Sequence, residues 1–367
     1  MMKPKLCLVV PSYSETDASH FSYLRQFAKR LSRDFDLALL IERGHTPRSE
    51  IKARETILLR FTFIPLRFLE TLFQCARLRT AGYKNFYIHY SFLAAYCASL
   101  THGKVFYWNC GEPWKFRRSS VREWFERLVY RRIDYLVTGT EGLAARYRQH
   151  YQLKKEKTRV MPNWTDVAQF SVKKEKVTQL RKQLDIGKDE KVVLFVHRLS
   201  KRKGAQYLPE ILKGLEGATL LVIGEGPGEL RLKSAFAREN LGERVRLLGA
   251  VPNHALPPYY ALADLFIMPS DEEGYPHVLL EAMAAGVPFV ASNVGGVSEI
   301  VPPQLLRSIV ASGNVKEFVK KARDALRLTA QQRNAMSKTA TAWVREHNSL
   351  ESSYKLFPVP TDFMESG

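Results

Sequence analysis

The sequence predicts an α/β protein made of two Rossmann-like domains, and three observations support this fold class. The chain has 367 residues, of which 45% are hydrophobic, so it is too long for one ordinary core and long enough for two. Short runs of β-branched and aromatic residues alternate with helical stretches along nearly its whole length, as in parallel sheets covered by helices. These runs form two groups, one in each half of the chain.

Ten segments are predicted to be strands, five in each half. Those of the first half are residues 6–11, 37–42, 86–90, 105–109 and 135–138. Those of the second half are residues 192–197, 219–224, 245–248, 265–269 and 289–292. The turn-rich segment 161–166 and the lysine-rich segment 172–182 separate the two groups, and we predict the hinge there. We therefore predict an N-terminal domain at 1–168, a C-terminal domain at 169–338, and a terminal helix and tail at 339–367 that packs back on the N-terminal domain.

Cysteine use and hydropathy indicate a cytoplasmic protein. The four cysteines show neither metal-ligand spacing nor the density of a disulfide scaffold, which favours a reducing compartment. The apolar run at 6–10 ends at Pro11 and is too short for a signal peptide or a membrane span. The net charge of +19 attracts polyanions, namely nucleic acid, phosphorylated glycans or an anionic lipid leaflet. If the protein meets a membrane, we expect it to lie on the inner face.

The segment 271–288 is the most informative part of the chain. Glu273 follows the predicted strand 265–269, so it lies outside a strand's carboxyl end, where open α/β sheets bind ligands. Pro276 suits the first position of a helix and Gly286 suits its end, which predicts a helix of about three turns. The free N–H groups at the start of that helix form an anion site.

Glu281 is the one acid in the apolar part of this helix. A buried carboxylate needs a partner or loses its charge. A ribose diol that donates two hydrogen bonds would serve, and so would a cation such as His277 one turn earlier.

Two cations and a glycine-rich turn follow other strands of the second half. Arg198 and Lys203 come after the strand 192–197, and two cations near a helix N-terminus suit a pyrophosphate. A solvated basic loop is the alternative for this charge run. Gly224 opens a glycine-rich turn that lets the backbone approach a ligand closely, although that signal is weak by itself.

Taken in order, these motifs resemble the family-4 retaining glycosyltransferases, also called glycosyl transferases group 1. The matching elements are Arg198-Leu199, Lys203-Gly204, Gly224-Glu225-Gly226-Pro227, Pro269-Ser270, Glu273 with Glu281, and Gly286-Val287-Pro288. The resemblance implies the GT-B fold, in which two Rossmann-like domains face a central cleft. It implies a retaining transfer from a nucleotide diphosphate-sugar, with no covalent carboxylate nucleophile of the kind that glycoside hydrolases use.

The resemblance also implies a role for each residue. Arg198 and Lys203 would hold the donor pyrophosphate and neutralise the leaving group, Glu273 would bind the sugar hydroxyls, and these three are the implied catalytic residues. The implied donor-binding residues are Gly224, Gly274, Tyr275, Pro276, His277, Glu281, Gly295 and Gly296. No metal and no cofactor besides the donor are implied, because the cations replace a metal. Asp34-Phe35-Asp36 precedes a strand and is interpreted as a surface turn.

The sequence departs from the family pattern at three places. His197 stands where the family usually has glycine. The loop after the first strand, residues 11–17, lacks the usual paired glycines. The histidine that many relatives have at the end of a middle strand is replaced by the region of Asn109 and Glu112. We name Tyr13, Asn109 and Glu112 as acceptor-side candidates; His20 and His89 are further candidates, although a lone histidine is more often structural.

Two segments raise the question of membrane contact. Residues 61–79 combine aromatic and leucine positions at helical spacing with arginines, which is typical either of an interfacial helix or of a core-packed helix with a basic edge. Residues 120–132 repeat this pattern, and six arginines at 117–132 crowd the other side of that segment. Such a first domain suits a glycan or lipid-linked acceptor at an anionic membrane surface, as in surface polysaccharide or glycoconjugate synthesis.

Two other functional classes stay open. One is a basic protein that binds nucleic acid or anionic surfaces and keeps only the fold, and the other is a phosphorylase on the same scaffold. A polyanion binder would not need Glu273 and Glu281, since acids repel a polyanion. The sequence also lacks recognisable nucleic-acid-binding motifs, so we expect no specific nucleic-acid partner.

Overall fold

The structure is a computed structural model that describes residues 3–13, 22–46, 51–115 and 118–359. The chain divides into two compact units. The first contains the chain up to Met161 together with the segment from Tyr354, and the second is Pro162–Ser353. The segment Met161–Asp166 thus contains the division, whereas the predicted domain boundaries at 168 and 338 stay predictions. None of the helices in the described ranges is long and apolar enough to cross a membrane.

The first unit is built on a seven-stranded parallel sheet in the order β3-β2-β1-β4-β5-β6-β7. Its strands are β1 Lys5–Val10, β2 Asp36–Ile41, β3 Glu55–Leu58, β4 Asn85–His89, β5 Lys104–Trp108, β6 Tyr135–Thr138 and β7 Thr158–Val160. The inner strands are continuous apolar runs because helices cover both faces of a parallel sheet. Its helices are α1 Ser22–Asp34, α2 Ile64–Thr80, α3 Phe92–Leu100, α4 Ser120–Arg132 and α5 Glu141–Tyr151.

The segment after residue 353 packs on this first sheet. The Phe357 ring lies 4.8 Å from the ring of Tyr87 and 5.6 Å from that of Phe27 on α1. The Tyr354 hydroxyl donates to Asp34 at 2.8 Å. The end of the chain's described part therefore completes the aromatic core of the first unit.

The second unit is built on a six-stranded parallel sheet in the order β10-β9-β8-β11-β12-β13. Its strands are β8 Lys191–Val196, β9 Ala218–Ile223, β10 Val245–Leu247, β11 Leu265–Met268, β12 Phe289–Ser292 and β13 Ile309–Val310. The first helices are α6 Lys174–Gln183, α7 Leu208–Lys213, α8 Glu229–Arg238 and α9 Pro257–Leu262. The others are α10 His277–Ala284, α11 Val297–Ile300, α12 Val315–Leu326, α13 Ala330–His347 and α14 Leu350–Tyr354.

The predicted fold class is confirmed. All ten predicted strands are present, and their ends differ from the predicted ones by at most one residue. The sequence did not reveal β3, β7 and β13, which are strands of two to four residues outside the continuous apolar runs. Both sheets reverse their strand order beside the first strand, which is the Rossmann arrangement and creates a crevice at that point.

Candidate functional site

The reversal point of the second sheet lies between β8 and β11, which are neighbours in the sheet although far apart in sequence. His197 directly follows β8, and Ser270 and Glu273 lie just after β11. Because the strands are parallel, their carboxyl ends meet at one edge, where ligands bind in such sheets. The sequence therefore folds these polar residues into one cluster.

Glu273 is the centre of this cluster and is almost fully buried. One carboxylate oxygen, Oε1, accepts hydrogen bonds from the Ser270 hydroxyl at 2.8 Å and from His197 Nε2 at 2.9 Å. The other, Oε2, accepts from Lys203 Nζ at 2.8 Å. A carboxylate has about four lone-pair sites, so these three bonds leave room for one further donor on Oε2.

The charge of Glu273 is fixed by its neighbours. Burial alone would raise the pKa of its carboxyl, but His197 and Lys203 outweigh burial and hold this pKa at about 2. The group is therefore an anion throughout the physiological pH range. A carboxylate so strongly stabilised is a weak base and a weak nucleophile, and it accepts hydrogen bonds well.

His197 has a defined orientation. Its Nδ1 accepts the backbone N–H of Arg198 at 2.9 Å, so Nε2 carries the hydrogen that is donated to Glu273. In the sequence, this histidine stands out only as a departure from the family's usual glycine. The structure instead shows it connecting β8 to the carboxylate that follows β11.

The two predicted cations differ in their surroundings. Lys203 is mostly buried and donates to the carbonyl oxygen of Glu272 at 3.1 Å as well as to Glu273. Arg198 is exposed, and no carboxylate of the described residues pairs with its guanidinium. Arg198 is therefore available to an external anion, whereas Lys203 already has an internal one.

Glycines let four loops come together at this edge. A Cβ on Gly224, which has φ +129°, would overlap the carbonyl oxygen of His197, and one on Gly295, at φ +61°, would overlap that of Glu273. The Gly296 N–H donates to the Gly274 carbonyl at 3.1 Å. The loops after β8, β9, β11 and β12 thus contact one another only because these positions lack side chains.

The helix after Glu273 begins one residue later than predicted and is shorter. Pro276 is its N-cap, α10 starts at His277, and its eight residues make just over two turns instead of three. Gly286 follows the helix at φ +68°, and its N–H donates to the carbonyl oxygen of Met283, which tightens the last turn. Tyr275 is held in place by Asn163, whose amide donates to the Tyr275 carbonyl at 3.0 Å.

Glu281, which lies on α10, has two partners from other elements. Its carboxylate accepts the Tyr260 hydroxyl at 2.7 Å and the Asn253 amide at 3.0 Å. Burial raises the pKa of Glu281 to about 7. The two hydrogen bonds act in the opposite direction and lower this pKa, but burial has the larger effect. The folded protein thus holds this proton more tightly than the unfolded chain does. The resulting contribution to stability is present below the unfolded pKa of 4.5 and is lost as pH rises through 7.

The acceptor-side candidates lie in the first unit, and the structure gives each an internal partner. The Tyr13 backbone pairs with the Arg43 to His45 segment. The Asn109 side chain accepts the Gly111 N–H at 2.9 Å. Glu112 is buried and forms ion pairs with Lys115 at 2.7 Å and Arg146 at 2.8 Å.

The two histidine candidates of the first unit have different outcomes. His89 ends β4, is fully buried, and stacks on Trp108 with ring centres 5.2 Å apart. Neither of its ring nitrogens has a hydrogen-bond partner among the described residues. Burial lowers the pKa of His89 to about 3. His20 lies outside the described residues.

Some residues that contact the predicted site residues were not identified from the sequence. Ser270 lies inside a motif that was recognised, and Asn163 lies in the predicted hinge segment 161–166, so the position of each was a usable signal. Tyr260 and Asn253 lie on other elements, and no spacing links them to Glu281. Their contribution follows only from the tertiary structure.

Comparison with known protein families identifies the family of this chain. The family model for glycosyl transferases group 1 matches residues 176–343, and the model for Glycosyltransferase Family 4 matches residues 21–169. The chain belongs to the group 1, family-4-like glycosyltransferases. The matches cover both units of this glycosyltransferase, including every residue of the Glu273 cluster.

The curated relatives agree with this family. The chain is 34% identical over 143 residues to the putative teichuronic acid biosynthesis glycosyltransferase TuaC of Bacillus subtilis, which covers 38% of this chain and 34% of TuaC. It is 32% identical over 195 residues to a GDP-mannose-dependent phosphatidylinositol monomannoside mannosyltransferase of Mycobacterium tuberculosis, covering 50% of each chain. The chain thus spans about one third to one half of the length of these relatives.

Solved structures show the same fold. Anabaena HepE in complex with UDP and glucose aligns with a TM-score of 0.80 at 18% identity, covering 96% of this chain and 98% of HepE. The lipopolysaccharide glycosyltransferase WaaG aligns with a TM-score of 0.73 at 15% identity, covering 99% and 100%. The chain therefore has the GT-B fold.

Proposed function

We propose that this protein is a retaining glycosyltransferase that moves a sugar from a nucleotide diphosphate-sugar to a glycan or lipid-linked acceptor. The observation that carries the proposal is the Glu273 cluster. Among the described residues, a buried, ionised carboxylate with one free lone-pair site lies at the carboxyl-end edge of a Rossmann sheet, next to a cation that none of their carboxylates pairs with.

The donor fits the second unit by charge. A diphosphate carries negative charge that Arg198 can bind, and the N-terminus of α10 adds backbone N–H groups and a positive dipole end. As the bond from the sugar to the diphosphate breaks, negative charge grows on the leaving oxygen. Cations already in place stabilise this charge without reorganisation, so the proposed reaction needs no metal ion.

Glu273 and Glu281 would orient the two ends of the donor. The free lone-pair site on Glu273 Oε2 can accept one sugar hydroxyl, which fixes the sugar relative to the diphosphate. A ribose diol at Glu281 would donate to its carboxylate and favour the ionised form. The backbone around Gly274, Tyr275, Pro276 and His277, with Gly224, Gly295 and Gly296, would line the space between these two carboxylates.

Retention also agrees with the cluster. Three hydrogen bonds, one of them from the Lys203 cation, make Glu273 a poor nucleophile, so a covalent glycosyl intermediate on it is disfavoured. The acceptor would then attack from the face that the leaving group departs from, and the anomeric configuration would be kept. The acceptor itself would bind the first unit, where Tyr13, Asn109 and Glu112 stay candidates.

Structural and curated relatives support the substrate classes. HepE binds UDP and UDP-glucose, which favours a nucleotide-sugar donor here. TuaC is named for teichuronic acid biosynthesis, and the mycobacterial relative for mannosyl transfer to a phosphatidylinositol mannoside. We infer a role in surface polysaccharide or glycoconjugate synthesis, on the cytoplasmic side of a membrane.

The configuration of the product tests this proposal. Purified protein with α-linked UDP- and GDP-sugars and a panel of free and lipid-linked glycans is expected to form an α-glycosidic bond, which NMR coupling constants identify. A chelator should leave the rate unchanged because Arg198 and Lys203 supply the positive charge. A β-linked product would contradict retention, and a rate that needs added divalent metal would contradict the cationic mechanism.

A further inference from the structure

The first unit has an exposed apolar surface that its own fold does not explain. Three residues on the side of α2 turned away from the core are exposed: Leu66, Leu69 and Phe73, with Phe73 at 63%. The buried side of α2 contains Thr71, Cys75 and Leu78. A helix that is apolar on both sides requires a second apolar environment.

This surface continues across three neighbouring helices. An open groove of about 510 Å³ runs between α2, α3 and α4 and is lined by Ile64, Pro65, Phe68, Leu69, Leu93 and Phe125. Beyond it, α4 exposes Val121 at 75% and Trp124 at 64%. We call the exposed residues Ile64, Leu66, Leu69, Phe73, Val121 and Trp124, together with this groove, the apolar surface.

The apolar surface is well ordered by its surroundings. The Glu70 carboxylate accepts the backbone N–H groups of Arg60 and Phe61 at 3.0 to 3.1 Å, which fixes the loop that enters α2. The rings of Phe68 and Tyr96 lie 6.4 Å apart, and those of Tyr96 and Phe125 5.4 Å apart, so α3 holds α2 and α4 together. A partner would meet a surface that is already formed, which lowers the cost of binding.

Charge selects the partner. Residues 1–161 carry 29 Lys and Arg against 14 Asp and Glu, a net +15 of the chain's +19. Exposed arginines border the apolar surface. Arg60 directly precedes Phe61 in the loop that enters α2, and Arg122 lies between Val121 and Trp124 in the sequence of α4. Apolar side chains that enter the acyl region, bordered by arginines that reach anionic headgroups, are the features of an interfacial membrane anchor.

The position of the surface adds a functional reason. Helices α2 and α3 begin shortly after the carboxyl ends of β3 and β4, whereas a longer connection separates β5 from α4. The first turns of α2 and α3, which carry Ile64 and Leu93, therefore lie near the carboxyl-end edge of the sheet, and Asn109 and Glu112 follow β5 at the same edge. An acceptor anchored in a bilayer would reach that edge without leaving the membrane.

We propose that the apolar surface of the first unit docks the protein on an anionic lipid bilayer. This inference rests on the proposed transferase function only for the purpose of docking, which would be access to a lipid-linked acceptor. Docking itself is independent of catalysis. It favours the interfacial alternative for residues 61–79 over the core-packed one, because the outer face of α2 is apolar and exposed.

Co-sedimentation with vesicles tests the proposal. The protein is expected to bind vesicles of phosphatidylcholine mixed with phosphatidylglycerol, to bind phosphatidylcholine alone at least about tenfold less, and to be released by salt. The double variant F73S/W124S should bind the mixed vesicles at least about tenfold less than the wild type, because it removes two large apolar groups from the contact. Leu230→Ser, at another exposed leucine on α8, is the matched control and should bind normally.

Tryptophan fluorescence gives a second measurement. Trp124 should shift to the blue and become protected from a soluble quencher when mixed vesicles are added, and Trp124→Phe should abolish this change. Absence of vesicle binding, or unchanged binding by F73S/W124S, would overturn the docking proposal. Self-association that the double variant abolishes, without vesicle binding, would instead make this surface an interface between two copies. Nucleoside diphosphate binding, measured on the same samples, reports the proposed donor site independently.

Discussion

Replacing Lys203 by alanine is expected to lower both the stability of the second unit and the rate of sugar transfer. The substitution leaves Glu273 buried and without the cation on Oε2. Removing one partner of a buried ion pair costs about 3 kcal/mol in the free energy of unfolding. Loss of a preorganised cation beside the leaving group should reduce kcat/KM by about 10² to 10³. Urea unfolding and an initial-rate assay measure the two effects.

A double variant separates the two effects. In K203M/E273Q neither charge is present, so the stability should return to within about 1 kcal/mol of the wild type while transfer stays lost. Lys213→Ala is the matched control, since Lys213 pairs with Glu239 at 2.7 Å on the surface. Breaking a fully exposed pair should leave both the stability and the rate close to those of the wild type. Full activity of Lys203→Ala would remove Lys203 from the mechanism.

The second large effect is the loss of stability of the first unit in mild acid. His89 is fully buried with a pKa of about 3, whereas an unfolded histidine titrates near pH 6.5. Between these values the unfolded chain binds the extra proton, so stability is fully present above pH 6.5 and is lost as pH falls toward 3. The expected loss is about 2 kcal/mol between pH 7 and 5, and about 4 kcal/mol between pH 7 and 3.

The difference between the wild type and His89→Leu isolates this effect. The leucine variant has no group to protonate at this position. Between pH 7 and 5, its free energy of unfolding should therefore fall by about 2 kcal/mol less than that of the wild type. Glu281 acts in the opposite direction over this range, but it is present in both proteins and cancels. His254→Gln, at an exposed histidine, is the control and should behave as the wild type. Parallel pH profiles for the wild type and His89→Leu would show that His89 does not titrate as argued.

The sequence could predict the fold because its signal is local. Runs such as Val192–Val196 are apolar throughout, as expected for strands covered on both faces, and they located the strands to within one residue. The meeting of Lys203 with Glu273 was also predictable in outline. Both residues follow strands that a Rossmann order makes neighbours, so the topology brings them to one edge.

Other features of the site depend on contacts that spacing does not encode. The orientation of His197 toward Glu273 needs the backbone N–H of Arg198 on its other nitrogen, which no motif reveals. Tyr260 reaches Glu281 from a separate helix. The exposed face of α2 was equally hidden, because helical periodicity identifies an apolar side without saying which side meets the sheet.

Calorimetric titration of nucleoside diphosphates into the purified protein tests the central claim most directly. We expect UDP, GDP or ADP to bind without added metal, and Arg198→Ala to weaken that binding about 10- to 100-fold, because it removes a charge-assisted contact to phosphate. Glu281→Gln should weaken it as well, whereas Arg231→Ala, at an exposed arginine on α8, should not. If no diphosphate binds, or if Arg198→Ala binds as tightly as the wild type, the edge around Glu273 is not the donor site.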